Sequence, residues 1–196
     1  MATQQATLTP TTDQTPVTVS IPTKELSGTQ WVARFPTSTS VGDLTTEFEA
    51  SVNKFIAAIK EAGGSVSISA TYRPKERAYL MHYSSAISKG IIAPEDVPEM
   101  DGVNIEWVHS TSAQSISAAT SMASGYGIVY PPALTSRHTQ RKAIDMTISN
   151  ISGKTIVNAS GASVLITHLS DLNPVGTTYG VKKLVSDPPH WSTDGH

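Results

Sequence analysis

Lys142-Ala143-Ile144-Asp145-Met146-Thr147-Ile148-Ser149 alternates with a period of two. Ile144, Met146 and Ile148 fall on one side, and Ala143, Asp145 and Thr147 on the other, as successive side chains of a strand do. An aspartate on the non-core face of a buried-looking strand is placed to line a cleft. Ser65 to Tyr72 repeats the pattern, with Val66, Ile68 and Ala70 on one face and Ser65, Ser67, Ser69 and Thr71 on the other. Continuing that parity puts Arg73 on the polar side. Pro74 keeps Arg73 extended and suits the first turn of a helix predicted over Lys75–Lys89 and ended by Gly90.

Outward from these strands the periodicity changes. Asp43 offers an N-cap, Leu44, Phe48, Val52, Phe55, Ile56 and Ile59 recur at helical spacing, and Gly63-Gly64 close the helix. Ile91 to His109 reads as irregular and Pro-containing, with Asp101-Gly102 as a turn, and a weaker helix is expected from Ser112 to Ala123. Helix, strand, helix, helix and then strands is not the alternation of a doubly wound fold. It predicts α+β, a small antiparallel sheet with helices packed against it.

The 196 residues suit one domain with a sizeable core, taken as 18–196, behind a Thr-, Gln- and Pro-rich N-terminal tail over 1–17. Val17, Val19 and Ile21 alternate with polar residues, and Trp31-Val32 follow. No segment approaches the ~20 apolar residues of a membrane span, so no membrane insertion is expected. A net charge of −2 gives no general attraction to nucleic acid. The absence of cysteine removes disulfides and thiol nucleophiles, so any metal must be held by His, Asp or Glu. The tail has neither a basic start nor an apolar run, so the expectation is a protein made in the cytoplasm without a signal peptide. The tail would otherwise serve as a docking segment for a delivery partner.

Two histidines and a carboxylate are the ligand set of a zinc that keeps a position open for chemistry, and two short stretches supply them. The first, Ser136 to Asp145, holds His138 seven residues before Asp145. Fully extended, that separation is roughly 23 Å, so the chain must fold back across Thr139 to Arg141 if both bind one ion. The second, Asp187-Pro188-Pro189-His190-Trp191, places an acid three residues before a histidine. Polyproline II would put the two on one face, and a turn through the prolines would bring them closer. By residue type alone, ordinary structural hydrogen bonding serves each of them equally well. His109 is a candidate for lining the cleft. His82 and His168 read as surface or packing residues, Lys75 and Arg77 as a solvated face, His196 as a disordered end, and Trp191 as packing beneath the site.

In the order Ser136, His138, Ala143, Asp145 and then Asp187, His190, Trp191, these motifs resemble the zinc D-Ala-D-Ala carboxypeptidase and L-alanyl-D-glutamate endopeptidase family, the VanX/VanY-like peptidoglycan peptidases. Tyr72-Arg73 upstream and Tyr179-Gly180 before the second motif fit as well, so the resemblance runs with gaps from about Ile68 to Trp191. It implies Zn2+ on His138, Asp145 and His190 in a cleft on the sheet, with Asp187 as general base. Arg73 is implied to bind a carboxylate or the developing oxyanion. Ser136 is expected to orient the motif loop at the edge of the substrate site. The implied partner is the peptidoglycan stem peptide, met at the cell wall or periplasm after release or non-classical export. Two positions depart from the pattern: Arg141 stands where the family has glycine, and Asp187 where many members have glutamate. A catalytically inactive wall-binding module, or a structural part of a phage or secretion device, is the alternative expectation on the same scaffold.

Overall fold

The computed structural model describes residues 23–128 and 131–196. The N-terminal tail and the alternation around Val17, Val19 and Ile21 lie outside the described residues. In chain order the elements are β1 (Glu25–Leu26), α1 (Thr46–Glu61), β2 (Ser65–Ala70), α2 (Lys75–Ser88), β3 (Ile105–Glu106) and α3 (Ser112–Gly125). Then follow β4 (Ala143–Ser149), β5 (Lys154–Val157), β6 (Ser163–Ile166), α4 (Leu172–Thr178), β7 (Lys182–Lys183) and β8 (His190–Ser192). The fold is α+β. Its centre is an antiparallel four-stranded sheet in the order β2-β4-β8-β7, with a β5–β6 hairpin and a short parallel β1–β3 pair beside it.

The helical spacing of Phe48, Val52, Phe55 and Ile59 becomes one buried stripe of α1. That stripe packs on Ile144, Met146 and Ile148 of β4 and on Trp191 of β8, with Leu172 and Val175 of α4 closing the same cluster. Phe55 and Trp191 meet with ring centroids 5.3 Å apart. Gly63 ends α1 at φ 83 by donating to Lys60 O while Gly64 donates to Ile59 O, a pairing that satisfies the last carbonyls. The start of α1 differs from expectation. Thr45 occupies the cap position, and Asp43 sits in a preceding 3₁₀ turn, Val41–Asp43, whose own closure leaves Asp43 outside the helix.

A second cluster joins α2 and α3 to Trp31, Val103, Ile105 and Trp107. Pro74 is the cap of α2 and does not enter its first turn, and Gly90 at φ 66 ends it. Thr111 Oγ1 accepts from Gln114 N and caps α3, which runs two residues beyond the expected end. Arg77 is half-buried, not solvated: Nη1 donates to Val32 O at 3.1 Å and the guanidinium lies over Tyr126.

Candidate metal centre

Strand pairing, more than local sequence, builds the site. In the β4–β8 ladder Asp145 lies opposite His190 and Ile144 opposite Trp191. Directly paired residues share a face, so the register puts one carboxylate and one imidazole on the polar face and sends Trp191 into the core. The register of β2 slips at Ser69: Ile68 pairs with Met146, but Ala70 pairs with Asp145. This bulge carries one extra residue and corrects the simple alternation, turning Ala70 to the Asp145 face and away from Val66 and Ile68. Thr71 is accordingly buried, and its main chain is anchored by Thr71 N to Ser38 O at 2.7 Å.

His138 reaches the sheet because the chain folds back as the spacing required. Gln140 N donates to Ser136 O, Arg141 N to His138 O and Lys142 N to Arg137 O. Ser136 and Thr139 brace the turn, with Ser136 N donating to Thr139 Oγ1 and that hydroxyl to Ser136 O. Arg141 takes φ 61, the left-handed region that glycine enters without cost. That conformation gives a physical reason for a glycine at this position. Here Arg141 is held instead by Nη1 donating to Asp43 O at 2.9 Å and by stacking over the Tyr72 ring.

The second motif is a turn. His190 N donates to Asp187 O across Pro188-Pro189, and Asp187 N donates to Leu184 O. Sequence reasoning missed Lys183, whose ammonium donates to the carbonyls of Leu184, Asp187 and His190 and ties this loop into one unit. Burial lowers its pKa, against the pull of Asp187 and Asp145. Three amine donors meeting three carbonyls were not legible from a lysine in a short strand.

The outcome is a triangle of donors. His138 Nε2 lies 3.1 Å from Asp145 Oδ1 and 3.2 Å from His190 Nδ1, and that nitrogen lies 3.1 Å from the same oxygen. Both histidines are buried, with 4% and 7% exposure, so little water screens the contact. The opposite ring nitrogens settle the tautomers. His138 Nδ1 faces Thr71 O at 2.8 Å and His190 Nε2 faces His196 O at 3.2 Å. A carbonyl only accepts, so each of those nitrogens carries its proton. In the neutral rings two lone pairs and a carboxylate oxygen therefore converge. One extra proton can sit between two of these atoms but leaves the third contact repulsive, whereas a divalent cation answers all three. A tetrahedral zinc with bonds of 2.0–2.1 Å needs ligand spacings of about 3.3 Å, which this triangle meets. His138, Asp145 and His190 are the group among the described residues with the geometry of a metal-binding site.

Without a metal, protons are the alternative occupants of the triangle, and protonated rings donate to Asp145. Burial pushes the Asp145 carboxyl up, but hydrogen bonds from His138 and His190 outweigh it and hold the group well below the usual carboxylate range. Burial draws His190 down, and its hydrogen bond to Asp145 more than reverses this.

A cavity of about 460 Å³ opens over the triangle. Arg73, Ser136 and Asp187 line it together with the three clustered residues. Asp187 is exposed on the wall and contributes no atom to the triangle. Arg73 is partly buried. Its main-chain N donates to His138 O, its Nε has no hydrogen-bond partner in the protein, and burial lowers its pKa despite nearby Asp145. His109 does not line the cavity. Its Nε2 pairs with Ser27 Oγ at 2.9 Å and its main-chain N donates to Ser115 Oγ, because the short strand before it is drawn into the α2–α3 cluster. His82 Nδ1 meets Pro132 O, and His168 caps a 3₁₀ turn. His196, expected to be disordered, lines the cavity and receives the His190 hydrogen bond.

Comparison of the chain with models of protein families, with curated proteins and with solved structures returns no match. The buried His–Asp–His cluster on this α+β fold is consistent with a metal-binding site, as on a scaffold of the zinc metallopeptidase type. No helix among the described residues is long and apolar enough to cross a membrane.

Proposed function

We propose that this protein is a zinc-dependent peptidase that hydrolyses an amide bond in the peptidoglycan stem peptide. The observation that carries the reading is the convergence of His138 Nε2, Asp145 Oδ1 and His190 Nδ1 beneath a cavity with an exposed carboxylate and a partly buried guanidinium on its walls. The order and spacing of the motifs shared with the carboxypeptidase and endopeptidase family supply the substrate class. Zinc bound to these three residues supplies Lewis-acid polarisation of the scissile carbonyl and lowers the pKa of water.

The chain's own residues do the rest. Asp187 stands outside the ligand triangle, so its carboxylate is available to take a proton from the attacking water and return it to the leaving amine. Arg73 lines the cavity, and its buried Nε–H has no hydrogen-bond partner in the protein. A guanidinium fork there pairs with a stem-peptide carboxylate or the charge developing on the carbonyl oxygen. Ser136 holds the turn that delivers His138. Leu184 adds an apolar side chain to the cavity wall.

Mass spectrometry of muropeptides after digestion tests this reading. Wild-type protein is expected to release a stem-peptide fragment. Asp187→Asn is expected to cut the rate by about 10²–10⁴-fold, the usual worth of general-base catalysis, with zinc content unchanged. Arg73→Ala should also lose turnover while keeping zinc, and Arg73→Lys should restore it poorly. Zinc binding without any cleavage that Asp187→Asn abolishes would make the chain a binding module on a peptidase scaffold.

A further inference from the structure

Arg137 and Asp194 take no part in the chemistry above, yet they join the two segments that carry the histidines. Arg137 is the residue before His138, and Asp194 lies four residues after His190. The guanidinium grips the carboxylate with two prongs, Nε to Oδ1 at 3.1 Å and Nη2 to Oδ2, while Nη1 donates to Gln140 Oε1 at 2.6 Å. Asp194 Oδ1 also accepts from Ser192 Oγ and from His196 N, both at 3.3 Å. Ser192 is fully buried, and its hydroxyl accepts from Gly195 N at 2.8 Å and His196 N at 3.1 Å. Gly195 turns the chain at φ 85, where an L side chain would be strained. The end of this relay is the His196 oxygen, 3.2 Å from His190 Nε2.

We propose that the Arg137–Asp194 pair is a positioning device for the metal centre. It holds the main chain of His196 where its oxygen accepts the Nε2 proton of His190, so that Nδ1 of His190 presents a lone pair beside His138 and Asp145. The proposal rests on reading the triangle as a zinc site. Both members of the pair are one-third exposed, and such ion pairs contribute little to stability. Their value lies in geometry. A ligating histidine needs its other nitrogen fixed, or the ring can rotate and its proton can move to the metal-facing atom. His138 obtains this from Thr71 O inside the fold, whereas His190 obtains it from a segment held down by Arg137. The device thus makes the position of one ligand's ring depend on the segment that carries the other.

The experiment measures the zinc dissociation constant by chelator competition for wild type, Arg137→Ala, Asp194→Ala, Asp194→Asn, Arg137→Lys and the Arg137→Ala/Asp194→Ala double variant. Nitrogen-15 histidine NMR of the zinc-free proteins reads the tautomer. Removing an outer partner of a ligand typically weakens metal binding about 10–100-fold, and each alanine variant is expected to fall in that range. The double variant should be no weaker than the worse single, because one relay is cut in either case. Arg137→Lys should recover part of the loss, since an ammonium offers one prong. The wild-type spectrum should show His190 protonated on Nε2, and Asp194→Ala a mixture of tautomers at an unchanged melting temperature. Asp194→Asn keeps the side-chain size and controls for misfolding. Wild-type affinity in both single variants, or losses that multiply in the double, would overturn the proposal. Wild-type protein that binds no zinc would instead remove the metal reading, and the tautomer spectra would still decide the relay.

Discussion

The two faces of the central sheet use the same strands for opposite ends. On one face Ile144, Met146, Ile148 and Trp191 are buried against α1 and α4. On the other, a single residue away, Asp145 and His190 meet His138 under an open cavity. The core face is tolerant in chemistry and strict in volume, because dispersion and burial depend on filling space. The site face is strict in chemistry and contributes little volume. A converging set of lone pairs is a cost to the zinc-free fold, which the packing one layer below offsets. Substitutions on the two faces should therefore separate stability from metal binding, and that separation can be broken or sharpened in several ways.

The largest effect is expected from Asp145→Ala. Zinc content should fall from about one ion per chain to none, while the zinc-free protein melts within about 4 °C of wild type, which is ~1 kcal/mol in a chain of this size. Inductively coupled plasma spectrometry and calorimetry check the two halves. A variant that keeps its zinc would dissolve the contrast between the faces.

Phe55→Ala probes the other side. Phe55 has no exposed surface and packs on both Trp191 and Tyr179. Truncating a buried aromatic costs about 3–5 kcal/mol, measurable by chemical denaturation, with zinc stoichiometry retained by the folded fraction. A loss below about 1 kcal/mol would mean that the α1 contact does not support the sheet.

Gly176→Ala sharpens the same point at close quarters. An added Cβ would lie 2.7 Å from Val181 O and 2.8 Å from the Trp191 ring, and the carbonyl cannot move aside cheaply. Overpacking of this kind costs roughly 1–3 kcal/mol. The expected result is a lower denaturation midpoint and unaltered zinc affinity. Neutral or raised stability would show that α4 has slack beneath Trp191.

The smallest effect lies at the turn leading into α4. The His168 main-chain N–H, then the hydroxyl and main-chain N–H of Thr167, hold the Asp171 carboxyl below its ordinary value. The unfolded chain titrates near ~3.9, so this group's stabilisation is present above that pH and is lost as pH falls through the lower folded value. NMR titration should place Asp171 below ~3.9, and Asp171→Asn should flatten the acid limb of stability without touching zinc. A carboxyl that titrates at or above the unfolded value would remove this contribution.

Much of the frame was legible from local pattern. The α1 stripe, the alternation of β4 and the two glycine helix ends all arise from interactions within a few residues. The fold-back between His138 and Asp145 followed from reach once both were taken to bind one ion, and it is present as a hydrogen-bonded turn through Arg141. Asp43 misled because a capping residue competes with the turn in which it sits. Parity failed at Ala70 because a bulge is invisible to a period-two reading. His109 looked like a cleft residue by type and instead bonds Ser27.

By itself the sequence determined the α+β order of elements, the face on which Asp145 stands and the chemical kinds of side chain available for a metal. Periodicity, capping and residue type are short-range properties, and a single chain displays them directly. Tertiary structure decided the rest: the β4–β8 register that sets Asp145 opposite His190, the Thr71 and His196 oxygens that fix which nitrogens face inward, and the Lys183 staple under the second motif. The Thr71 contact spans 67 residues and the Asp145–His190 pairing 45, while the His196 and Lys183 contacts are close in sequence but need the turn held on the sheet. Such meetings are set by the packing of whole elements, which no local stretch encodes.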